Sequence, residues 1–126
     1  MRMPVFILIA TFLAATTACG DDTAAINKLI VEIDAGIKTN KARMLRILVI
    51  NTDVAAATLE QEKARTGLSF GELYVARSLA LACRKKFDQI VALKSRGNSW
   101  AKIAQMHNVS LRGSTAALKQ MLEELK

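Results

Sequence analysis

The stretch Leu68-Ser69-Phe70-Gly71-Glu72-Leu73 carries the strongest helix-start signal in the chain. The hydroxyl of Ser69 can accept a hydrogen bond from the backbone N–H of Glu72, while the Glu72 carboxylate can accept from the backbone N–H of Ser69. These two reciprocal bonds form a capping box, which satisfies backbone donors that the first turn of a helix leaves unpaired. The stretch therefore predicts a helix from position 70 to about position 82.

Apolar residues on both sides of this start recur every three or four positions, as they do along one face of an amphipathic helix. The stripes predict further helices over 26–37, 44–49, 54–65, 87–93, 99–108 and 111–125. Gly67, Gly97 and Asn108 are the expected terminators, because they tolerate the left-handed backbone of a helix end. Between the second and third helices, Asn51 is expected to end one helix, and Thr52 or Asp53 to cap the next.

The composition also favours helices. Hydrophobic residues form 52% of the 126-residue chain but aromatic residues only 5%, and the single proline is at position 4. The β-branched run Ile47 to Ile50 is the one competing strand signal, yet it fits a helical stripe equally well. We therefore predict an all-α protein, a small multi-helix orthogonal bundle, with one helical domain over 19–126 after a signal segment over 1–18.

The first 18 residues follow the order of an export signal. Arg2 precedes an apolar stretch over 5–15, and small residues lead to Ala18. Because the strongly apolar part is shorter than the roughly 20 residues that span a bilayer, the pattern favours a cleaved signal over a retained anchor. We expect the protein to be exported to the periplasm or cell envelope.

The junction Ala15-Thr16-Thr17-Ala18-Cys19-Gly20 resembles the lipobox of bacterial lipoproteins. The resemblance implies that Cys19 is acylated and becomes the mature N-terminus, although Thr16 stands where that family usually has Leu. Ordinary cleavage near Cys19 is the alternative. Acylation leaves Cys83 without an intrachain partner, as a small buried hydrophobe on a helix, whereas an unmodified Cys19 permits a disulfide with Cys83.

Positive charge is concentrated in the C-terminal half of a chain whose net charge is +7. Between positions 77 and 119 there are nine basic residues and a single acid, Asp88. Such a bias suggests an anionic partner, although a merely solvated surface accounts for it equally well. The candidate residues for contact with an anionic partner are Arg84, Lys85, Lys86, Lys94, Arg96, Lys102, Arg112 and Lys119.

The segment from Ser99 to Gln120 resembles a helix-turn-helix. The small Ala104 stands where the two helices of that motif approach each other closely, and the turn falls at Asn108. The resemblance implies DNA contacts from Arg112, Ser114, Thr115, Lys119 and Gln120 on the second helix. The sequence departs from the motif where His107 and Ser114 occupy positions that are usually apolar, and where Gly113 lies within the second helix. Any sharp helical corner requires a similar pattern, and export would separate the unit from chromosomal DNA.

Two stretches, 66–73 and 97–104, resemble signal-bearing helical proteins of bacteria, and this resemblance implies no activity. Enzymatic chemistry is not expected, because the only histidine, His107, belongs to no cluster with metal-ligand spacing and no phosphate-binding loop is present. Cys83 as a nucleophile with His107 as its base is the one remaining catalytic combination, and no recognisable motif surrounds either residue. We expect no catalytic residue, no metal and no cofactor.

The sequence thus predicts a small exported helical binding or structural protein of the bacterial envelope, with Cys19 as a lipid anchor. Its expected partner is an envelope protein or an anionic envelope surface. The alternative is a helix-turn-helix DNA-binding protein, and nucleic acid is a partner only under that alternative.

Overall fold

A computed structural model describes residues 23–124 of the protein, apart from the side chains of residues 112–117. This part of the chain contains seven helices and no strand, so the predicted all-α bundle is confirmed. The helices are α1 (23–39), α2 (Lys41–Thr52), α3 (Ala56–Thr66), α4 (Phe70–Cys83), α5 (Phe87–Ser95), α6 (Trp100–Met106) and α7 (Arg112–Glu124). The predicted signal segment over 1–18 and the predicted lipidation site, Cys19, lie outside the described residues.

Helix α4 is the centre of the bundle. It contacts α2, α3, α5 and α6, and it buries residues on every side: Phe70, Gly71, Leu73, Tyr74, Val75, Ala76, Leu79 and Ala80. All seven helices contribute apolar side chains to the same core. Among the described helices, none is long and apolar enough to cross a membrane.

The predicted start of α4 is confirmed in detail. The Ser69 hydroxyl accepts from the Glu72 N–H at 3.2 Å, and the Glu72 carboxylate accepts from the Ser69 N–H at 3.2 Å. Gly67 ends α3 with a φ of 76°, in the left-handed region that favours glycine. Ser99 likewise caps α6, because its hydroxyl accepts from the Lys102 N–H at 3.1 Å.

The expected stop at Asn51 is wrong. Helix α2 continues through Asn51 and Thr52, whose side chains hydrogen-bond to the carbonyls of the preceding turn. Asp53 instead adopts the left-handed conformation, with a φ of 57°. Helix α3 then begins at Ala56 without a side-chain cap. Local side-chain bonding to the preceding turn therefore carries the helix past the expected terminator.

Helix α1 crosses the N-terminus of α4 at Gly71. A Cβ added there would lie 2.7 Å from the carbonyl oxygen of Ile30 and 2.9 Å from its Cα, both backbone atoms. At the same crossing, Asp34 of α1 accepts a hydrogen bond from the Gly71 N–H at 2.9 Å. The carboxylate thus lies at the positive end of the α4 dipole, where negative charge is stabilising.

Candidate functional site

The corner between α4 and α5 brings three consecutive cations to the surface. Helix α4 ends at Cys83 and α5 begins at Phe87, and Arg84, Lys85 and Lys86 between them are all exposed. We call these three residues the cationic corner. They are three of the eight residues that the sequence predicts for an anionic partner, and their role stays a prediction.

The backbone of the cationic corner is held by hydrogen bonds from both helices. Arg84 adopts a φ of 56°, in the left-handed region. The N–H of Lys85 donates to the carbonyl of Ala80, five residues earlier, at 3.0 Å. This is the bond of a Schellman motif, which satisfies a carbonyl left over at the helix end. On the other side, the Lys86 N–H donates to the side-chain oxygen of Gln89 at 3.0 Å. The three cations are therefore displayed on a fixed backbone.

No carboxylate of the described residues lies within ion-pair distance of the cationic corner. Asp88, the single acid between positions 77 and 119, forms an ion pair with Arg65 of α3 at 3.1 Å. Both partners of that pair are largely exposed. Because the nearest acid in the sequence is already paired, the positive charge of the corner is available to an external anion.

A pocket of about 840 Å³ opens beside the cationic corner. The three corner residues form part of its lining, together with Asn51 and Thr52 from the end of α2 and with residues of α4 and α5. The lining residues contributed by α4 and α5 are Tyr74, Arg77, Ser78, Ala80, Leu81 and Phe87. The pocket thus combines cations with hydroxyl, amide and apolar groups.

Arg77 has a different role from the corner residues, although it lines the same pocket. Its guanidinium donates twice to the carboxylate of Glu62, whose residue is only 6% exposed, and it lies 4.4 Å from the ring centroid of Phe87. Burial lowers the pKa of Arg77, and the charge of Asp88 opposes this effect. Glu62 neutralises this cation, so Arg77 fixes α4 against α3 and forms a wall of the pocket.

The sequence reasoning missed the pair between Glu62 and Arg77. A signal was present, because Glu62 follows Leu59 by three positions and therefore lies on the buried face of α3. A carboxylate on an apolar face requires a partner. The sequence did not show that Arg77, on another helix, would be that partner.

The remaining predicted cations are spread over several elements. Lys94 is half-buried, and its ammonium lies 5.1 Å from the ring centroid of Trp100. Its charge therefore makes a cation–π contact within the bundle. Arg96 joins Lys85 in lining a second pocket of about 280 Å³. Lys102 on α6 and Lys119 on α7 are exposed and line neither pocket. Arg112 is the first residue of α7, and its side chain lies outside the described part.

The predicted corner between α6 and α7 is present. Ile103 and Ala104 are 0% and 3% exposed, and Asn108 ends α6 with a φ of 54°. The N–H of Val109 donates to the carbonyl of Ala104 at 3.0 Å. His107, at a position that is usually apolar in the helix-turn-helix motif, is half-buried with its Nδ1 2.9 Å from the carbonyl oxygen of Ile103.

The predicted DNA-contacting residues of α7 are described only in part. Lys119 and Gln120 are exposed, and the amide of Gln120 donates to Glu124 at 3.3 Å. The side chains of Arg112, Ser114 and Thr115 are among those outside the described part. Because these three belong to the first turns of α7, the face that would enter a DNA groove stays a prediction.

Cys83 is the last residue of α4 and is half-buried rather than fully buried. Burial raises the pKa of its thiol, and the nearby charge of Lys85 acts in the opposite direction.

In the described part of the chain, no three His, Cys, Asp or Glu residues are grouped so that they could hold a metal ion. No protein-family model, curated protein or solved structure matches the chain.

Proposed function

We propose that the protein is a small exported binding protein of the bacterial envelope, which uses the cationic corner to bind an anionic envelope surface. Acylated Cys19 would hold it at the membrane. The observation that supports this proposal is the set of three consecutive exposed cations, Arg84, Lys85 and Lys86, with no carboxylate of the described residues in ion-pair distance.

Electrostatics gives the expected strength of such binding. Each Lys or Arg held near an anionic lipid surface contributes about 1 kcal/mol, and the contribution falls off within a Debye length, which is about 10 Å at 0.1 M salt. Three cations on a fixed backbone therefore contribute about 3 kcal/mol at low salt. Binding of this kind depends on the charge density of the surface and weakens as salt is added.

The test is binding of the full chain to vesicles of phosphatidylcholine with and without phosphatidylglycerol, measured by flotation at low and high salt. We expect a preference for the anionic vesicles that the double variant Lys85→Gln/Lys86→Gln lowers by roughly tenfold or more. The matched control is Lys28→Gln/Lys38→Gln, which removes two exposed cations from α1. Residues 1–22 are identical in all variants, so their own affinity for lipid cancels in the comparison.

Equal loss of the preference in both double variants would show that net charge, and not the corner, determines binding.

Export and anchoring need a separate measurement, the intact mass of the protein in membrane and soluble fractions. A chain that begins at acylated Cys19 is expected in the membrane fraction. A soluble chain that still begins at Met1 would contradict the export part of the proposal.

A second candidate function is DNA binding through α6 and α7. The observation that favours it is the tight corner at Asn108, with Ala104 buried at the close approach as the helix-turn-helix motif requires. It predicts binding to duplex DNA with an affinity that falls steeply with salt. Lys119→Gln should lower the slope of log affinity against log salt by about one, whereas Lys28→Gln on α1 should not. Absence of duplex binding at low salt would remove this candidate.

A further inference from the structure

Leu81 is 83% exposed, more than any other large apolar side chain in the described part of the chain. A single exposed leucine is ordinary on a protein surface. The location of Leu81 is informative, because it lies in the last turn of α4, directly before the chain leaves the helix and forms the cationic corner.

Two observations tie Leu81 to the cationic corner. The carbonyl of Leu81 accepts from the Arg84 N–H at 3.3 Å, so the two residues belong to one ordered turn. Leu81 also lines the 840 Å³ pocket together with all three corner residues. An exposed apolar side chain and three exposed cations therefore border the same open depression.

We infer that the end of α4 docks on an anionic phospholipid bilayer, with Leu81 inserted below the lipid phosphates and Arg84, Lys85 and Lys86 paired with them. This inference rests on the proposed function, and it adds the chemical identity of the anionic surface and an inserting residue. A polyanion in water offers charge for the corner but no apolar phase for Leu81. The membrane interface offers both.

The inference also explains how a lipid anchor and a cationic corner would act together. Acylation of Cys19 would attach the chain to the bilayer at its N-terminus, which by itself does not fix the orientation of the bundle. The corner with Leu81 would fix that orientation, because the end of α4 would be held against the bilayer.

The experiment places an environment-sensitive fluorophore at position 81. The full chain carries Cys19→Ser and Cys83→Ser, and the probe is attached through Leu81→Cys. With vesicles that contain phosphatidylglycerol, we expect a blue shift and at least twofold quenching by lipids brominated in the acyl chain. The same probe attached through Val31→Cys is the matched control, since Val31 is 67% exposed and lies on α1, away from the cationic corner. Its emission should not change.

Two further measurements make the inference falsifiable. The first is Leu81→Ala, without a probe, which should weaken binding to anionic vesicles about tenfold at low salt, where the corner still binds. Val31→Ala should leave that binding unchanged. The second is the probe at 81 in the Lys85→Gln/Lys86→Gln background, where quenching should be lost.

The outcomes separate the inference from the proposal beneath it. If the corner variants lose their preference for anionic vesicles while the probe at 81 is not quenched by brominated lipid, the surface is bound without insertion and the inference is overturned. If the full chain shows no preference for anionic vesicles at all, the proposed function fails as well. Equal quenching at positions 31 and 81 would also overturn the inference, because insertion would then not be specific to the end of α4.

Discussion

At the scale of single residues, Gly71 shows how the backbone of a neighbouring helix can leave no room for a side chain. Its missing Cβ leaves room for the backbone of α1, which lies less than 3.0 Å from where that atom would be. The sequence gives no sign of this constraint, because position 71 reads only as the second residue of a helix. The close approach is a property of the packed bundle.

We expect Gly71→Ala to lower the free energy of unfolding by about 1 to 3 kcal/mol, since the added methyl group meets backbone atoms of Ile30 that cannot rotate away. Gly36→Ala is the control. A Cβ at position 36 meets the terminal methyl group of Met44, which can move, and alanine favours the helix there. Urea unfolding would measure both changes, and equal stability of Gly71→Ala and the unaltered protein would contradict the close approach.

Reactivity of the Cys83 thiol reports on the charge of the corner. Because burial raises its pKa, less thiolate is present at a given pH, and alkylation in a Cys19→Ser chain should be slower than that of a free cysteine at pH 8. Lys85 favours the thiolate, so Lys85→Gln should slow the reaction further and move its pH profile upward. The rate of reaction with iodoacetamide between pH 7 and 10 measures both effects. Faster reaction in Lys85→Gln would contradict the assignment.

At the scale of helices and corners, short-range signals determine where several elements start or end. The capping box at Ser69 and Glu72 involves residues three positions apart, and Gly67 acts alone as a terminator, so the sequence predicts both correctly. The end of α2 is the exception, since the side chains of Asn51 and Thr52 bond backward to the helix and not forward to a new one. Both choices use the same residue types, so the sequence pattern does not separate them.

We expect Ser69→Ala to lower the free energy of unfolding by about 1 kcal/mol, because it removes the acceptor for an N–H in the first turn of α4. Ser95→Ala is the matched control. The Ser95 hydroxyl donates to the carbonyl of Ala92 at the exposed end of α5, where water can replace it. Thermal unfolding of both variants would give the comparison, and a Ser69→Ala chain as stable as the control would argue against the cap.

At the scale of the whole molecule, one core shared by all the described helices indicates that they depend on one another. Helix α4 illustrates this dependence, since Leu79 is fully buried while Leu81, two residues later, is almost fully exposed. The burial of each position is determined by the neighbouring helices and not by residue type.

We expect Leu79→Ala to lower the free energy of unfolding by about 2 to 5 kcal/mol, and Leu81→Ala to change it by less than about 0.5 kcal/mol. In Leu79→Ala, helix content and the fluorescence of buried Trp100 should be lost in the same transition, because both report on one core. Circular dichroism and fluorescence on the same sample would test this. Two separate transitions would indicate that the helices do not form one cooperative unit.

The sequence by itself determined the helices, most of their ends and the run of three cations, because caps, terminators and charge runs act over only a few residues. It also provided the export and lipidation signals before position 20, which stay predictions. The tertiary structure decided which cations are used within the bundle and which face outward. It paired Arg77 with Glu62, placed Lys94 over Trp100 and left Leu81 beside the cationic corner. These outcomes depend on contacts between residues far apart in the chain, which local pattern does not encode.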